Sequence, residues 1–169
     1  IADEIQSGLG RTGKMFAFEH EGIRPDGVII GKALSGGFYP VSAFLSDTEV
    51  MNVFHPGDHG STFGGNPLGM AVAREALKVL VEEKLIQNSA KLGPWFMGEL
   101  QKMKFKSIKT VRGQGLWVGV VLDRPARPYC EALMKEGMLC KETHENVIRF
   151  APPLVISKRE LKMALRRID

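Results

Sequence analysis

Val28-Ile29-Ile30 restricts the fold of this chain more than any other stretch. It is entered through Asp26-Gly27 and stopped at Gly31-Lys32, with no polar residue alternating inside it. A strand with one wet face would alternate, so this run reads as buried on both faces, the pattern of a parallel sheet covered by helices. Ile1-Ala2 reads as the tail of a similar strand, ending at Asp3-Glu4 and running into a glycine-rich turn. Val41 to Leu45, after the turn at Gly36-Gly37, is a third strand candidate.

Helical signals follow. Asn66-Pro67 combines a capping side chain with proline at the first helical position, and apolar residues then recur at helical spacing from Leu68 to Leu85. A second helix is expected over Ile86 to Met103, with Gly93-Pro94 as the place where it would break or kink. Beyond it the pattern changes. Val111 to Leu122 reads as a strand, Tyr129 to Glu136 as a helix ended by Gly137, Val147 to Phe150 as a strand stopped by Pro152-Pro153, and Lys158 to Ile168 as a closing helix. The expected fold class is α/β. Residues 1–97 form the end of a mostly parallel layer, and residues 98–169 a smaller α+β domain.

Composition serves mainly to exclude. A net charge of +4 with scattered basic residues and no interleaved aromatics does not make a nucleic-acid footprint. No apolar run approaches the roughly 18 residues needed to cross a bilayer. The two cysteines, Cys130 and Cys140, form no CxxC and have no base nearby in sequence, which suggests free, unreactive thiols. His55, Asp58 and His59 lie in a Gly/Pro loop that offers no helical ligand face, so no metal site is expected. The chain starts at Ile1, inside what reads as a strand, and is taken as a C-terminal fragment, expected to be inactive and poorly folded alone.

Gly8-Leu9-Gly10-Arg11-Thr12-Gly13-Lys14 satisfies two nucleotide-binding patterns at once, G-x-G-x-x-G and G-x-x-x-x-G-K. Met15 stands where a P-loop needs a magnesium-binding hydroxyl. Asp26 precedes its strand instead of ending it, as a dinucleotide site would require. A nucleotide-binding module stays open as an alternative, beside a plain glycine-rich turn.

The acidic half of the same stretch points elsewhere. Asp3, expected to be partly buried at a strand end, lies where open α/β sheets bind ligands, although Asp3 or Glu4 capping a turn or pairing with Arg11 would also account for it. Lys32, between Gly31 and Ala33 at the end of the next strand, has small neighbours that let another molecule approach its ammonium. An acid and a lysine so placed suit a cofactor aldehyde held on the lysine with its ring nitrogen paired to the acid.

DEIQSGLGRTG, GKALSGGFYPVSA, HGSTFGGNPLG and RFAPPLVI, in that order along almost the whole chain, resemble the class III, fold type I, pyridoxal-phosphate aminotransferases. GGFYPVSA and RFAPPLVI look most like the members that act on ornithine, with other ω-amino-acid enzymes such as the acetylornithine branch as the alternative. The resemblance implies pyridoxal 5'-phosphate as cofactor and Lys32 as the lysine that binds it and later moves the proton. It implies Asp3 on the pyridine nitrogen, Gln6 on the phenolic oxygen, and Ser61 and Thr62 on the phosphate, Thr62 across a dimer interface. Arg149, which interrupts an apolar strand, becomes the substrate carboxylate anchor; without the resemblance, a pairing with Glu145 or solvent stands equally open. The family further implies amino-acid and 2-oxo-acid substrates, a homodimer, and either the mitochondrial matrix of a eukaryote or the cytoplasm.

Overall fold

The computed structural model describes residues 1–169 and divides into two units. The first comprises Ile1–Gly10 and Lys14–Ile86; the second comprises Arg11–Gly13 and Gln87–Asp169.

In the first unit, β1 (Ala2–Asp3), β2 (Gly27–Ile30) and β3 (Ala43–Ser46) form a three-stranded sheet in that order. β1 and β2 are parallel, with Ala2 opposite Val28 and Asp3 opposite Ile29. β3 joins β2 antiparallel, so the sheet of this unit is mixed. Residues 31–42 between them hold only one 3-10 turn, Lys32–Ser35, too little for the helical crossover that a parallel return needs. A one-turn helix, α1 (Thr48–Met51), follows β3. The long helix α2 (Pro67–Glu82) starts where the capping signal places it: Asn66 Oδ1 accepts from Gly69 N at 2.8 Å. Ala73 and Leu80 are its buried apolar positions.

The second unit is an antiparallel sheet packed with helices. α3 (Leu85–Lys102) runs through Pro94 without a break. Proline removes one helical hydrogen bond, but Leu92, Phe96 and Leu100, one turn apart, bury a continuous stripe that holds the helix together. The Val111 to Leu122 region is a hairpin, not a single strand: β4 (Ile108–Gln114) turns at Gly115-Leu116 into β5 (Trp117–Leu122). Gly115 has φ +54, a backbone region that favours glycine. α4 (Arg127–Lys135), β6 (Lys141–Thr143), β7 (Val147–Phe150) and α5 (Lys158–Ile168) complete the unit, with strand order β4-β5-β7-β6. Val118, Val120 and Leu122 alternate inward along β5 and meet Phe96, Leu133, Phe150 and Leu161 in one buried cluster. No helix is long and apolar enough to cross a membrane.

Candidate active site

β1 and β2 end side by side, and the chain leaving each strand carries the polar groups of interest. Past β1, the turn is organised by Glu4, whose side chain is only 3% exposed. Its Oε1 accepts from Phe18 N at 2.9 Å and its Oε2 from Ser7 Oγ at 2.6 Å, so the buried carboxylate is partnered on both oxygens. Asp3 is exposed, contrary to the partial burial expected of it; its Oδ1 accepts from Ile5 N at 3.1 Å. Side chains alternate faces along a strand, so burying Glu4 inside the turn sends Asp3 to the open side. Sequence reasoning left open whether Asp3 or Glu4 caps the turn, because two adjacent acids at a strand end look alike until the register is known; the structure gives that part to Glu4.

Past β2, Gly31 is extended and Lys32 takes φ +45, a left-handed conformation that costs a side-chain-bearing residue on the order of 1 kcal/mol or more. A dense local network holds it there. Leu34 N donates to Gly31 O at 3.0 Å, Ser35 Oγ to Lys32 O at 3.2 Å, and Gly37 N to Ser35 Oγ at 3.3 Å. The result aims Lys32 Nζ at Gln6, where it donates to Oε1 at 2.7 Å. Lys32 also lines a cleft of about 460 Å³ with Ser35, Tyr39, Phe63, Gly64 and Asn66.

Ser61 and Thr62 lie in the exposed loop before α2. Ser61 Oγ accepts from Gly64 N at 2.9 Å, and Asn66 Nδ2 donates to Phe63 O at 2.8 Å, which shapes the loop just ahead of the helix N-terminus. The structure thus joins Gln6 to Lys32 directly, and Lys32 to residues 63–66 through the cleft. The positive end of the α2 dipole at the head of this loop favours an anion.

The second unit holds Arg149. It sits on β7 between the buried Ile148 and Phe150, half-buried itself, opposite Gly119 on β5 and Lys141 on β6. It forms no ion pair with Glu145 or any other carboxylate; its electrostatic neighbour is Arg11. Arg11 does not pair with Asp3 or Glu4 either. Its Nη1 donates to Leu116 O at 3.0 Å and Pro152 O at 2.6 Å, and burial, then the Arg149 charge, push its pKa below the ordinary arginine value. The glycines around it have conformational work: Gly10 and Gly13 take φ +87 and +88, and a Cβ on Gly13 would stand 2.8 Å from Ala90 Cα. No helix follows Lys14 directly; its Nζ donates to Glu19 O at 3.1 Å. His55 Nδ1 lies 3.3 Å from Asp58 Oδ2, and His59 lies against Phe54. Cys130 and Cys140 share a hydrogen bond, and burial is the main cause that pushes both thiols up, Cys140 to about 12. Such thiols are poor nucleophiles.

A family model for Aminotransferase class-III matches residues 1–169. An ornithine aminotransferase of Staphylococcus epidermidis is 58% identical over 168 residues, which are 99% of this chain and 42% of that protein. The chain therefore spans about two fifths of the length of the curated relatives it matches. The solved acetylornithine aminotransferase of Elizabethkingia anophelis superposes with a TM-score of 0.94 at 48% identity over 98% of this chain and 43% of its own. The ornithine aminotransferase of Toxoplasma gondii does so with a TM-score of 0.94 at 45% identity, over 98% of this chain and 41% of its own. Enzymes of this class depend on pyridoxal phosphate and act on amino and 2-oxo acids. Four sequence motifs, a lysine forced into a left-handed turn at a parallel strand end, and a match along the whole length place this chain in the class-III aminotransferase family.

Proposed function

We propose that the protein carrying this chain transfers the δ-amino group of ornithine to 2-oxoglutarate, giving glutamate 5-semialdehyde and glutamate. The observation that carries this reading is the 2.7 Å contact between Lys32 Nζ and Gln6 Oε1 at the ends of two parallel strands. The same pair fits pyridoxal phosphate, since an amine and an amide converge beside an exposed carboxylate, Asp3, and a cleft leads on to an anion-favouring loop. When bound, the cofactor supplies an electron sink for the charge that develops at the substrate carbon.

The chain's own groups do the rest. Asp3, as an exposed carboxylate at the strand end, holds a proton on the ring nitrogen by ion pairing. Gln6 orients the phenolic oxygen and, through its contact with Lys32, the ammonium as well. Lys32 would hold the cofactor through Nζ, and as a free amine that same nitrogen would take a proton from the substrate carbon and return it nearby. The left-handed backbone at Lys32 fixes where that nitrogen can reach, so strain in the turn is converted into position. Ser61 and Thr62 offer hydroxyls to the phosphate at the head of α2. Arg149, a guanidinium without a carboxylate partner, binds a substrate carboxylate in a forked pair.

Phe38 and Phe63 are 89% and 77% exposed, apolar surface of the kind that a second copy of the protein would cover, with Thr62 reaching the cofactor of that copy. A specific observation keeps the acetylornithine reading second: one solved relative acting there is 48% identical. The test uses the full-length protein with cofactor. Lys32→Ala should lose the visible absorption of the lysine-bound cofactor and cut turnover on the order of 10³-fold. The native enzyme should prefer ornithine to N-acetylornithine by at least about tenfold in kcat/KM. An unaltered spectrum in Lys32→Ala would refute the assignment of the lysine, and a reversed preference would move the enzyme to the acetylornithine branch.

A further inference from the structure

Arg11 belongs by sequence to the glycine-rich turn after β1 but by structure to the unit that holds Arg149. It is gripped at both ends. Its carbonyl accepts from Ser89 Oγ at 2.9 Å and from Leu116 N at 3.1 Å, and both of those residues are fully buried. Packing leaves the backbone little freedom: a Cβ on Gly115 would stand 2.5 Å from the Thr12 carbonyl carbon. The guanidinium, fixed from behind, reaches forward to the carbonyls of Leu116 and Pro152.

Pro152 is the reason that reach matters. β7 presents Arg149 and ends at Phe150, and the chain then runs through Ala151-Pro152-Pro153. Neither proline has an N–H, so the sheet's own hydrogen bonds cannot fix this exit. The 2.6 Å bond from Arg11 to the Pro152 carbonyl supplies a tie three residues from Arg149. Charge adds a second effect. Neither arginine has a carboxylate partner, each is the other's electrostatic neighbour, and Lys141 stands opposite Arg149 on β6. Arginine stays protonated under such crowding, so the like charges are relieved only when an anion arrives.

We propose that Arg11 is a positioning residue for carboxylate binding at Arg149: it fixes the strand exit through the Leu116 and Pro152 carbonyls and sets a second positive charge beside the anchor. This rests on the reading of Arg149 as the carboxylate anchor. The experiment measures KM for 2-oxoglutarate and kcat in the full-length holoenzyme for Arg149→Met, Arg11→Met and Arg11→Lys. Arg149→Met should raise KM on the order of 100-fold, the loss of a forked, charge-assisted pair. Arg11→Met should raise KM about tenfold while kcat changes less than about threefold, and Arg11→Lys, which keeps the charge but not the double reach, should recover part of that loss.

If Arg149→Met raises KM but Arg11→Met lowers kcat or Tm with KM unmoved, Arg11 is merely structural and the proposal falls. If Arg149→Met leaves KM unchanged, the anchor reading falls and takes the proposal with it. Should Arg11→Met not fold, Arg11→Lys decides: a selective rise in KM of about threefold supports the positioning role, and no rise overturns it.

Discussion

Phe38, Phe63 and Leu68 in the unit of Lys32 are 89%, 77% and 60% exposed, whereas Phe96, Leu100, Leu116 and Val118 in the unit of Arg149 are at most 2% exposed. Every residue of the main buried cluster lies between Leu92 and Leu165. The unit of Arg149 closes its core with its own side chains. The unit of Lys32 carries special backbone conformations, such as φ +45 at Lys32, and in this chain, about two fifths of its relatives' length, its large apolar side chains are more exposed. Within this chain, Lys32 is held in place by the local hydrogen bonds of Leu34, Ser35 and Gly37. Local backbone networks hold a side chain's direction well, but they contribute little to global stability.

The largest effect that would sharpen this contrast is a truncation in each unit. Leu100→Ala removes a side chain with 0% exposure and should cost about 3 kcal/mol, while Val81→Ala, at a position of α2 that is 56% exposed, should change stability by less than about 0.5 kcal/mol. Trp95 and Trp117 both belong to the second unit and are the chain's only two tryptophans. Denaturant unfolding followed by their fluorescence reports the first variant, and far-UV dichroism reports both. Equal losses in the two variants would break the comparison.

A smaller effect probes how tightly the second unit is packed. Gly93 and Gly98 both lie in α3. A Cβ on Gly93 would stand 2.1 Å from the Gly115 carbonyl oxygen, a backbone atom that cannot swing aside. Gly93→Ala should therefore destabilise by about 2 kcal/mol or more. Gly98 has nothing within 4 Å of its built Cβ, so Gly98→Ala should stabilise by about 0.5–1 kcal/mol through helix propensity alone. Thermal melts of the two variants should move in opposite directions.

The contrast also explains what the sequence could and could not announce. Asn66-Pro67, the closing helix at Lys158–Ile168 and the strand Val147–Phe150 are local patterns, and the structure holds each where its pattern lies. Lys32 could be singled out by its small neighbours and Gln6 through the resemblance, but their direct contact was not legible, because a lysine at a strand end gives no sign of its φ. β6, three residues reading Lys141-Glu142-Thr143, has no apolar period and becomes a strand only because β7 offers it an edge. Arg11 is the extreme case. Its acceptors are backbone carbonyls 105 and 141 positions away, and a carbonyl has no sequence identity to read. Glu4 and Asp3 differ by register alone, which a two-residue strand does not encode by itself.

The smallest effect compares the helix caps of the two units. α2 in the first is capped by an amide: Asn66 Oδ1 accepts from Gly69 N, and Asn66→Ala should cost about 1 kcal/mol at any pH where the protein folds, since neither partner titrates. α5 in the second is capped by a reciprocal pair. Ser157 Oγ accepts from Glu160 N at 3.2 Å and donates to Glu160 Oε2 at 2.7 Å, while Ser157 N donates to the same carboxylate oxygen at 2.8 Å. The Ser157 side-chain hydrogen bond, then its backbone one, hold the Glu160 carboxyl below its usual range. A carboxylate lowered in the folded state stabilises above its unfolded pKa, and that contribution is lost as pH falls through the folded value. The cost of Ser157→Ala should therefore be largest near pH 7 and shrink as pH falls below the ordinary glutamate range, where Glu160 takes up its proton. Melting temperatures of both variants across that interval check the difference. A pH-dependent Asn66→Ala, or a Ser157→Ala whose cost stays flat, would show that the cap chemistry of the two units is not distinguished by the ionisable partner.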